Sequence, residues 1–584
     1  MCGIVGIVGT EVPRQRIERM TDLLSHRGPD DRGVWTAPGV ALGHRRLSIL
    51  DLSSAGRQPM SHAGRTLVYN GEIYNFRQLA GDLGQELISS SDTEVLLRLL
   101  ARDGLACLDR LVGMFAFGLW DDRRRSLWLG RDRLGIKPLY YRQLPPGGIA
   151  FASEIEPLLE LGRPEIDTSS LRDFFTYKYV PTPKSIYRGI YKLPPGHTLI
   201  FRPDDGSKPE IECWWTPEAS SALDRPDEAL ERLESLLAEV VPAHTLADVP
   251  YGVFLSGGID STTLAANLDR PRTFTLGFDV RSHDEAGDAR RVAEHFGACH
   301  HEEPAASVDL EEAVERIPVI YGEPFADHGA WPVYMISRAA RRQVKVALAG
   351  EGGDELFAGY HWYDKWPRFR STPLNRLLAR WVPPLTASGR SLQRRAATGL
   401  ERYAMFLGPF TLAQKRAFLS PDLMADDYDD LWHFRRFWRQ DLPALKRLQW
   451  ADIHTYLVDD MLTKLDRASM AVSLEARPPL LDHRLVEFAL ALDPTLLRDE
   501  RQGKLLLRRH LAPRVPPEIL TRRKVGFSMP VRRWAGAHPD LFAGAVGRLA
   551  DRGILRRRRL PRLNNEQTWS LLILDSWLRQ TGAL

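Results

Sequence analysis

The feature that most limits what this chain can fold into is a change of secondary-structure grammar near its middle. Ahead of it, short apolar runs alternate with turns. "MFAFGLW", "DDRRR" and "SLWLGRD" read as a hairpin with a charged turn, and "PLYYRQL", "PPGG" and "IAFASEI" repeat the pattern. The clearest helix of this half is "SSDTEVLLRLLARDG", where Val95, Leu96, Leu99 and Leu100 recur at helical spacing and Ser91 and Glu94 stand at capping-box spacing. A stretch rich in Pro, Asp, Ser and Gly then marks a linker near residues 203–228. Beyond it "YGVFL" is a strand, "DSTTLAANL" a helix, "RTFTLGF" a strand, "DEAGDARRVAEHFG" a helix and "VKVALAG" another strand. That βαβα alternation predicts a parallel sheet covered by helices on both faces. From about residue 360 the pattern is almost wholly helical. At 584 residues the chain exceeds what one core supports, so an antiparallel α+β domain followed by an α/β domain is expected.

Charge excludes little beyond a nucleic-acid binder by composition: 79 basic and 75 acidic residues leave a net charge of +4. The Arg556–Arg559 run reads as a solvated face or a local anion contact. Cys2, Cys107, Cys213 and Cys299 are far apart and contain no C-x-x-C pair, which argues against a zinc ribbon or a disulfide framework and for a reducing, cytoplasmic setting. The N-terminal apolar run is too short and lacks the charge of a signal peptide. No apolar run reaches the length of a membrane span. Neither a membrane nor a nucleic-acid partner is expected.

Three places carry chemistry. In "MCGIVGIVGT" the cysteine directly follows the initiator methionine. It is either a small hydrophobe of a buried first strand or, once Met1 is removed, an N-terminal nucleophile whose own α-amine serves as its base. In "VFLSGGIDST", Ser256, Gly257 and Gly258 can bring backbone N–H groups to an anion ahead of a helix N-terminus. Asp260 beside such a cradle would repel phosphate without a cation, so Mg²⁺ is implied. In "ALAGEGGDELFAGY", Gly350, Gly352 and Gly353 form a second close-approach loop bearing Glu351, Asp354 and Glu355. The two loops suit one Mg²⁺–nucleotide with Asp260 and Asp354 on the metal. No G-x-x-x-x-G-K-[ST] is present, so this is not a P-loop NTPase.

"MCGIVGI", "SHRGPD", "RRLSILD", "YNGEIYN", "SSDTEV" and "GMFAFGLWD" resemble the glutaminase domain of the glutamine-dependent asparagine synthetase family. "DVPYGVFLSGGIDST", "LAGEGGDELFAGY", "KLDRASMAVSLEARPPLLDH" and "RRKVGFSMP" resemble its ATP-dependent synthetase domain, all in the family's order. The resemblance implies an N-terminal-nucleophile αββα sandwich over residues 2–205, a linker over 206–228, an ATP-pyrophosphatase-type domain over 229–540 and a helical tail over 541–584. It implies that Cys2 attacks the glutamine amide, that Arg46 holds the α-carboxylate within the Leu47, Ser48, Ile49 and Leu50 stretch, and that Asp92 holds the α-ammonium. Asn70 and Gly71 would form the oxyanion hole, with Glu72 beside them. ATP would contact Leu255, Ser256, Gly257, Gly258, Asp260, Ser261, Leu276, Ala349 and Gly350. Glu351 would form or use an acyl-adenylate, and Lys524 would sit near the phosphates. Ammonia would cross between the sites through an interior passage. Small-molecule substrates and a homodimer are also implied.

Aspartate is the acceptor the resemblance implies, yielding asparagine. The alternative is the same chemistry on another carboxylate, a polysaccharide uronic acid or a peptide. That alternative is kept open by "EPFADHGAWPVYMISR", which carries Asp327, His328 and Trp331 but no arginine before Arg338, where relatives carry cationic help for aspartate. Ala349 and Gly353 also stand where serines are common. A tRNA-thiolating enzyme would need paired cysteines; an internal-amide cyclase would not need Cys2, Arg46 and Asp92; a scaffold would not need either site.

Overall fold

The computed structural model describes all residues except 1, 146, 207, 279–283, 306–309, 369–370, 383–385, 426, 522–528, 530, 532–535, 537, 557–562 and 583–584. Lys524 and Arg557 to Arg559 therefore lie outside the described residues.

The first half is built from two six-stranded antiparallel sheets. One runs, in spatial order, Ile190–Lys192, Tyr140–Leu144, Gly148–Ala152, Gly3–Val8, Val40–Arg46 and Asp31–Ala37; the other runs Glu210–Cys213, His197–Phe201, Ser126–Arg131, Gly113–Asp121, Arg65–Ile73 and Met60–His62. Strand alternation divides the apolar residues between two cores. Ile4 and Val8 face the second sheet, meeting Val68, Trp120 and Leu129 in a shared interior. Val5 and Ile7 face the other way, toward Ile17 and Met20 of helix Arg14–Asp22. Helices Phe76–Leu83 and Asp92–Asp103 cover the outer face of the second sheet. This is the expected αββα order, and both expected hairpins form.

The capping box at Ser91 does not form. The Ser91 side chain makes no cap bond to the helix. Glu94 instead accepts from the backbone N–H groups of Ile88 and Ser89 and pairs with Arg98. The preceding loop has unsatisfied donors of its own, and they take the carboxylate first.

The second half carries a five-stranded parallel sheet in the order Cys299–Ala305, Arg272–Phe278, Tyr251–Phe254, Val346–Leu348, Glu475–Arg477. The last strand lies within the region read as helical; three residues are too few for a period to show. Tyr251–Phe254 is the first strand of this sheet in chain order and its centre, so the direction of winding reverses between it and Val346–Leu348. Ligands bind at such a switch point, outside the strand ends. Both glycine loops begin there. The final helix, Asn565–Thr581, belongs to the same interior, with Trp569 and Trp577 fully buried.

The halves are extensively joined. Leu47 and Ile49 pack on Val346 and, with it, on Val249 and Tyr251. Asp248 N–H donates to the Ile49 carbonyl at 2.9 Å, Asp51 N–H to the Asp248 carboxylate at 2.8 Å, and Lys345 pairs with Asp30 at 2.7 Å.

Candidate functional site

Cys2 is buried at the start of the first strand, and its backbone nitrogen donates to Asn70 Oδ1 at 2.9 Å. Asn70 lies in strand Arg65–Ile73 and is fully buried; its Nδ2 has no hydrogen-bond partner among the described residues. A buried amide donor left unpaired costs free energy unless a ligand takes it. Gly71 follows, paired with Phe115. Burial pushes the Cys2 thiol up, opposed by the Leu47 N–H and the charge of Arg46. Arg46 ends strand Val40–Arg46 and donates to the carbonyls of Leu50 at 3.2 Å, Ser53 at 2.7 Å and Asp51, which curls the Leu47–Asp51 loop around its guanidinium. Asp92 opens helix Asp92–Asp103 and accepts from the Tyr69 hydroxyl at 2.8 Å and the Ile73 N–H at 3.0 Å. Burial pushes its carboxyl up to about 6, with the Tyr69 and Ile73 bonds opposing. Glu72 faces the other domain, where Arg477 meets it at 2.9 Å.

At the switch point, Gly257 has φ +69, a conformation glycine supplies at no steric cost. Ser256 and Ser261 hydroxyls lie 3.1 Å apart across the turn into helix Ile259–Ala266. The second loop abuts this one. A Cβ on Gly353 would stand 2.3 Å from Asp260 Oδ1, so a serine here would collide with the carboxylate. Leu255, Leu276 and Ala349 are buried around the loops, and Gly350 lies against Asp260 and Ser261. Burial raises Glu351, opposed by Lys464 and reinforced by Asp260 and Asp354.

Two groups of residues escaped the sequence reading. Lys504 Nζ lies 2.5 Å from Asp260 Oδ2 and 2.7 Å from Asp354 Oδ1, between the two carboxylates expected on the metal. Although burial alone would lower its pKa, the pair holds it charged. No group of three or more His, Cys, Asp or Glu placed to hold a metal occurs among the described residues; Mg²⁺ commonly takes one or two carboxylates together with substrate phosphate oxygens. The second group lies beside Glu351. Lys178 meets Asp327 at 2.7 Å and Asp460 at 3.0 Å, and Lys464 meets Asp327 at 3.2 Å, all of them buried. Burial would raise Asp327, but the two lysines hold it well below the usual carboxylate range. Lys178 comes from the first half of the chain, in a left-handed cap at the end of helix Thr168–Tyr177. Only a positive charge near "EPFADHG" was missing from the sequence reading, and no local pattern predicts that two lysines would supply it.

Between the two sites runs a buried chain of charge. Arg27 meets Glu154 at 2.8 Å and Asp466 at 2.9 Å; Arg467 meets Glu154 at 2.9 Å. Arg477 binds Glu72 at 2.9 Å and Glu475 at 2.5 Å. A small pocket opens beside this network, lined by Ile136, Leu139, Thr182, Asp466 and Arg467 among others.

An asparagine synthase family model matches residues 232–579, and a glutamine amidotransferase domain model matches residues 1–215. A putative asparagine synthetase [glutamine-hydrolyzing] of Mycobacterium tuberculosis is 34% identical, covering 99% of this chain and 97% of its own. Asparagine synthetase [glutamine-hydrolyzing] 1 of Bacillus subtilis is 33% identical over 91% and 88%. The amidase chry2 of Gibberella zeae is 30% identical over 89% and 86%. With both family models in register with both observed folds, the chain belongs to the asparagine synthase family and carries a glutamine amidotransferase domain at its N-terminal end.

Proposed function

We propose that the chain is a glutamine-hydrolysing asparagine synthetase, which takes ammonia from glutamine and joins it to an acyl-adenylate made from aspartate and ATP, releasing asparagine, glutamate, AMP and pyrophosphate. The observation that carries the reading is Asn70. Its oxygen holds the Cys2 nitrogen while its buried Nδ2 has no partner among the described residues. In this reading Met1 is removed, the Cys2 amine takes the thiol proton, and sulfur attacks the glutamine amide carbon. The negative charge then developing on the amide oxygen falls to Asn70 Nδ2 and the Gly71 N–H. The proton taken by the Cys2 amine passes to the leaving nitrogen as the intermediate collapses and expels ammonia, and water then releases glutamate from the thioester and restores the thiol. Arg46 would take the substrate carboxylate bidentately, and Asp92 the ammonium.

At the second site the Ser256–Ser261 loop, with Leu255, Leu276, Ala349 and Gly350, would hold ATP. Asp260 and Asp354 fit Mg²⁺: they are adjacent oxygen donors, and a lysine already compensates their joint charge. The metal, when bound, would neutralise the pyrophosphate leaving group. Glu351 would orient the acceptor for attack on the α-phosphorus, and Lys524 would offset phosphate charge. Asp327 with Lys178 and Lys464 offers both signs of charge that a free amino acid requires. The four cysteines are all free thiols, which supports a cytoplasmic setting.

One observation favours amidation of a different carboxylate. Arg338, the arginine of "EPFADHGAWPVYMISR", is exposed and lies over the Tyr334 ring rather than beside Asp327. Pyrophosphate release from Mg-ATP and glutamine, with and without aspartate, decides between the readings. Aspartate-dependent release with asparagine formed in step supports the synthetase. Glutamine hydrolysis without aspartate-dependent pyrophosphate supports a uronic acid or peptide acceptor.

A further inference from the structure

Helix Pro373–Trp381 carries an apolar stripe that is largely exposed among the described residues. Thr372 caps its start, Pro373 occupies the first turn, and Val382 ends it ahead of two prolines. It packs on helix Ala387–Ala396, and its Asn375 and Ala379 are half-buried. Leu374, Leu377, Leu378 and Trp381 recur at i, i+3, i+4 and i+7 on another side, 62%, 54%, 43% and 79% exposed. Four of the eleven large exposed apolar side chains among the described residues thus lie on one nine-residue helix. Such a contiguous stripe on a soluble fold marks an interaction surface.

The charge around the stripe identifies what covers it. From residue 365 to residue 400 the sequence has eight Lys and Arg and no Asp or Glu, although basic and acidic residues are almost balanced in the chain as a whole. Arg376, Arg394 and Arg395 are exposed on the two helices. A second copy of the chain docking the same face here would bring the arginines of the two helices together, and neither helix carries an acid to separate them. A polyanion such as nucleic acid would satisfy the arginines but leave the leucines and tryptophan wet. An anionic bilayer surface satisfies both: acyl chains take the apolar face, and headgroups take the basic residues.

We propose that the exposed apolar face of helix Pro373–Trp381, with Arg376, Arg394 and Arg395 beside it, is an interfacial membrane-docking surface that binds anionic lipid, seating the synthetase half on a membrane surface. No helix among the described residues is long and apolar enough to cross a bilayer, so the contact is one of lying on the surface. This sets aside the expectation of no membrane partner, which rested on the missing span alone. The inference stands apart from the acceptor assignment.

The test is co-sedimentation of the full chain with vesicles of phosphatidylcholine alone or mixed with phosphatidylglycerol, at low and high salt. Trp381→Ser and Leu377→Ser remove apolar contact; Arg376→Glu with Arg395→Glu removes charge. All four side chains are exposed, and undiminished glutamine hydrolysis in solution confirms that the variants fold. The expected result is binding to the anionic vesicles that high salt reverses and that either pair of substitutions weakens roughly tenfold or more. Failure to bind anionic vesicles, or binding indifferent to both pairs, overturns the proposal. So does a solution mass, by light scattering, that falls from dimer to monomer in the Trp381→Ser and Leu377→Ser variant, since the stripe would then belong to a second copy.

Discussion

One guanidinium joins Cys2 to the other domain. Arg27 Nε donates to the Cys2 carbonyl at 3.1 Å, while Nη1 and Nη2 donate to Asp466 at 2.9 and 3.3 Å. The Cys2 backbone is therefore positioned by a residue whose charge is compensated across the domain boundary.

Arg27→Met leaves Glu154 and Asp466 buried with fewer cations, which costs about 3–5 kcal/mol and is read as a lower urea midpoint. Arg27→Lys keeps the charge but cannot serve three acceptors from one point. Its expected signature is glutamate produced in excess of pyrophosphate in the full reaction, measured as the ratio of the two products. A ratio unchanged from the parent enzyme would show that Arg27 is structural only.

Asn70→Ala removes the unpaired donor beside Cys2. Glutamine hydrolysis should lose about 10²–10³ in kcat with a smaller change in KM. Cys2→Ser should abolish it. Pyrophosphate release supported by added ammonia should survive both, because the second site is untouched.

Asp92 gives the first site a pH dependence of known sign. Its carboxyl is pushed up to about 6 by burial, so it is neutral below that pH and cannot pair with an ammonium. The glutamine KM should stay level above neutrality and rise by roughly tenfold per unit as pH falls below that value; Asp92→Asn should give a high, pH-independent KM. For stability the sign is opposite. Native Asp92 holds its proton more tightly than the unfolded chain does, so its contribution is fully present at acid pH and is lost as pH rises through about 6.

Lys504→Gln removes the cation that lies between Asp260 and Asp354. Removing one partner from this buried set costs about 3 kcal/mol, seen as a lower Tm in metal-free buffer. Mg²⁺ should then raise the Tm of the variant more than that of the parent. Equal shifts would mean that the carboxylates do not share a cation.

Lys464→Met removes one of the two cations beside Asp327. The acceptor KM should rise by the equivalent of about 1.5–3 kcal/mol, with glutamine hydrolysis unaffected. Arg338→Ala should leave the acceptor KM unchanged.

What was legible in the sequence was local. Cys2 stands directly ahead of an apolar strand and Asp92 opens a helix of clear period, the glycine loops follow apolar strands directly, and Asn70 was reached through the family resemblance alone. Lys504 and Lys178 were not legible. Lys504 reaches Asp260 across 244 positions and Lys178 reaches Asp327 across 149, and no periodicity reports a contact made by folding alone. The linker reading had the same limit. The composition break near 203–228 is real, yet Arg172, well ahead of it, pairs with Asp430 at 2.7 Å. The strand Glu475–Arg477 was hidden because its three residues gain their order from Val346–Leu348 rather than from their own pattern.

The loop that Arg46 curls rests on the starting ends of the two strands whose far ends carry the glycine loops: Ile49 on Asp248, just ahead of Tyr251–Phe254, and Leu47 and Ile49 on Val346. Neither strand is longer than four residues. The halves are therefore not modules on a tether. Severed at the linker, each would bare an apolar patch and a set of orphaned ions, so the pair is inherited as one body: a lineage can retune either chemistry, but it cannot trade one half for a stranger's without rebuilding the floor on which both loops stand.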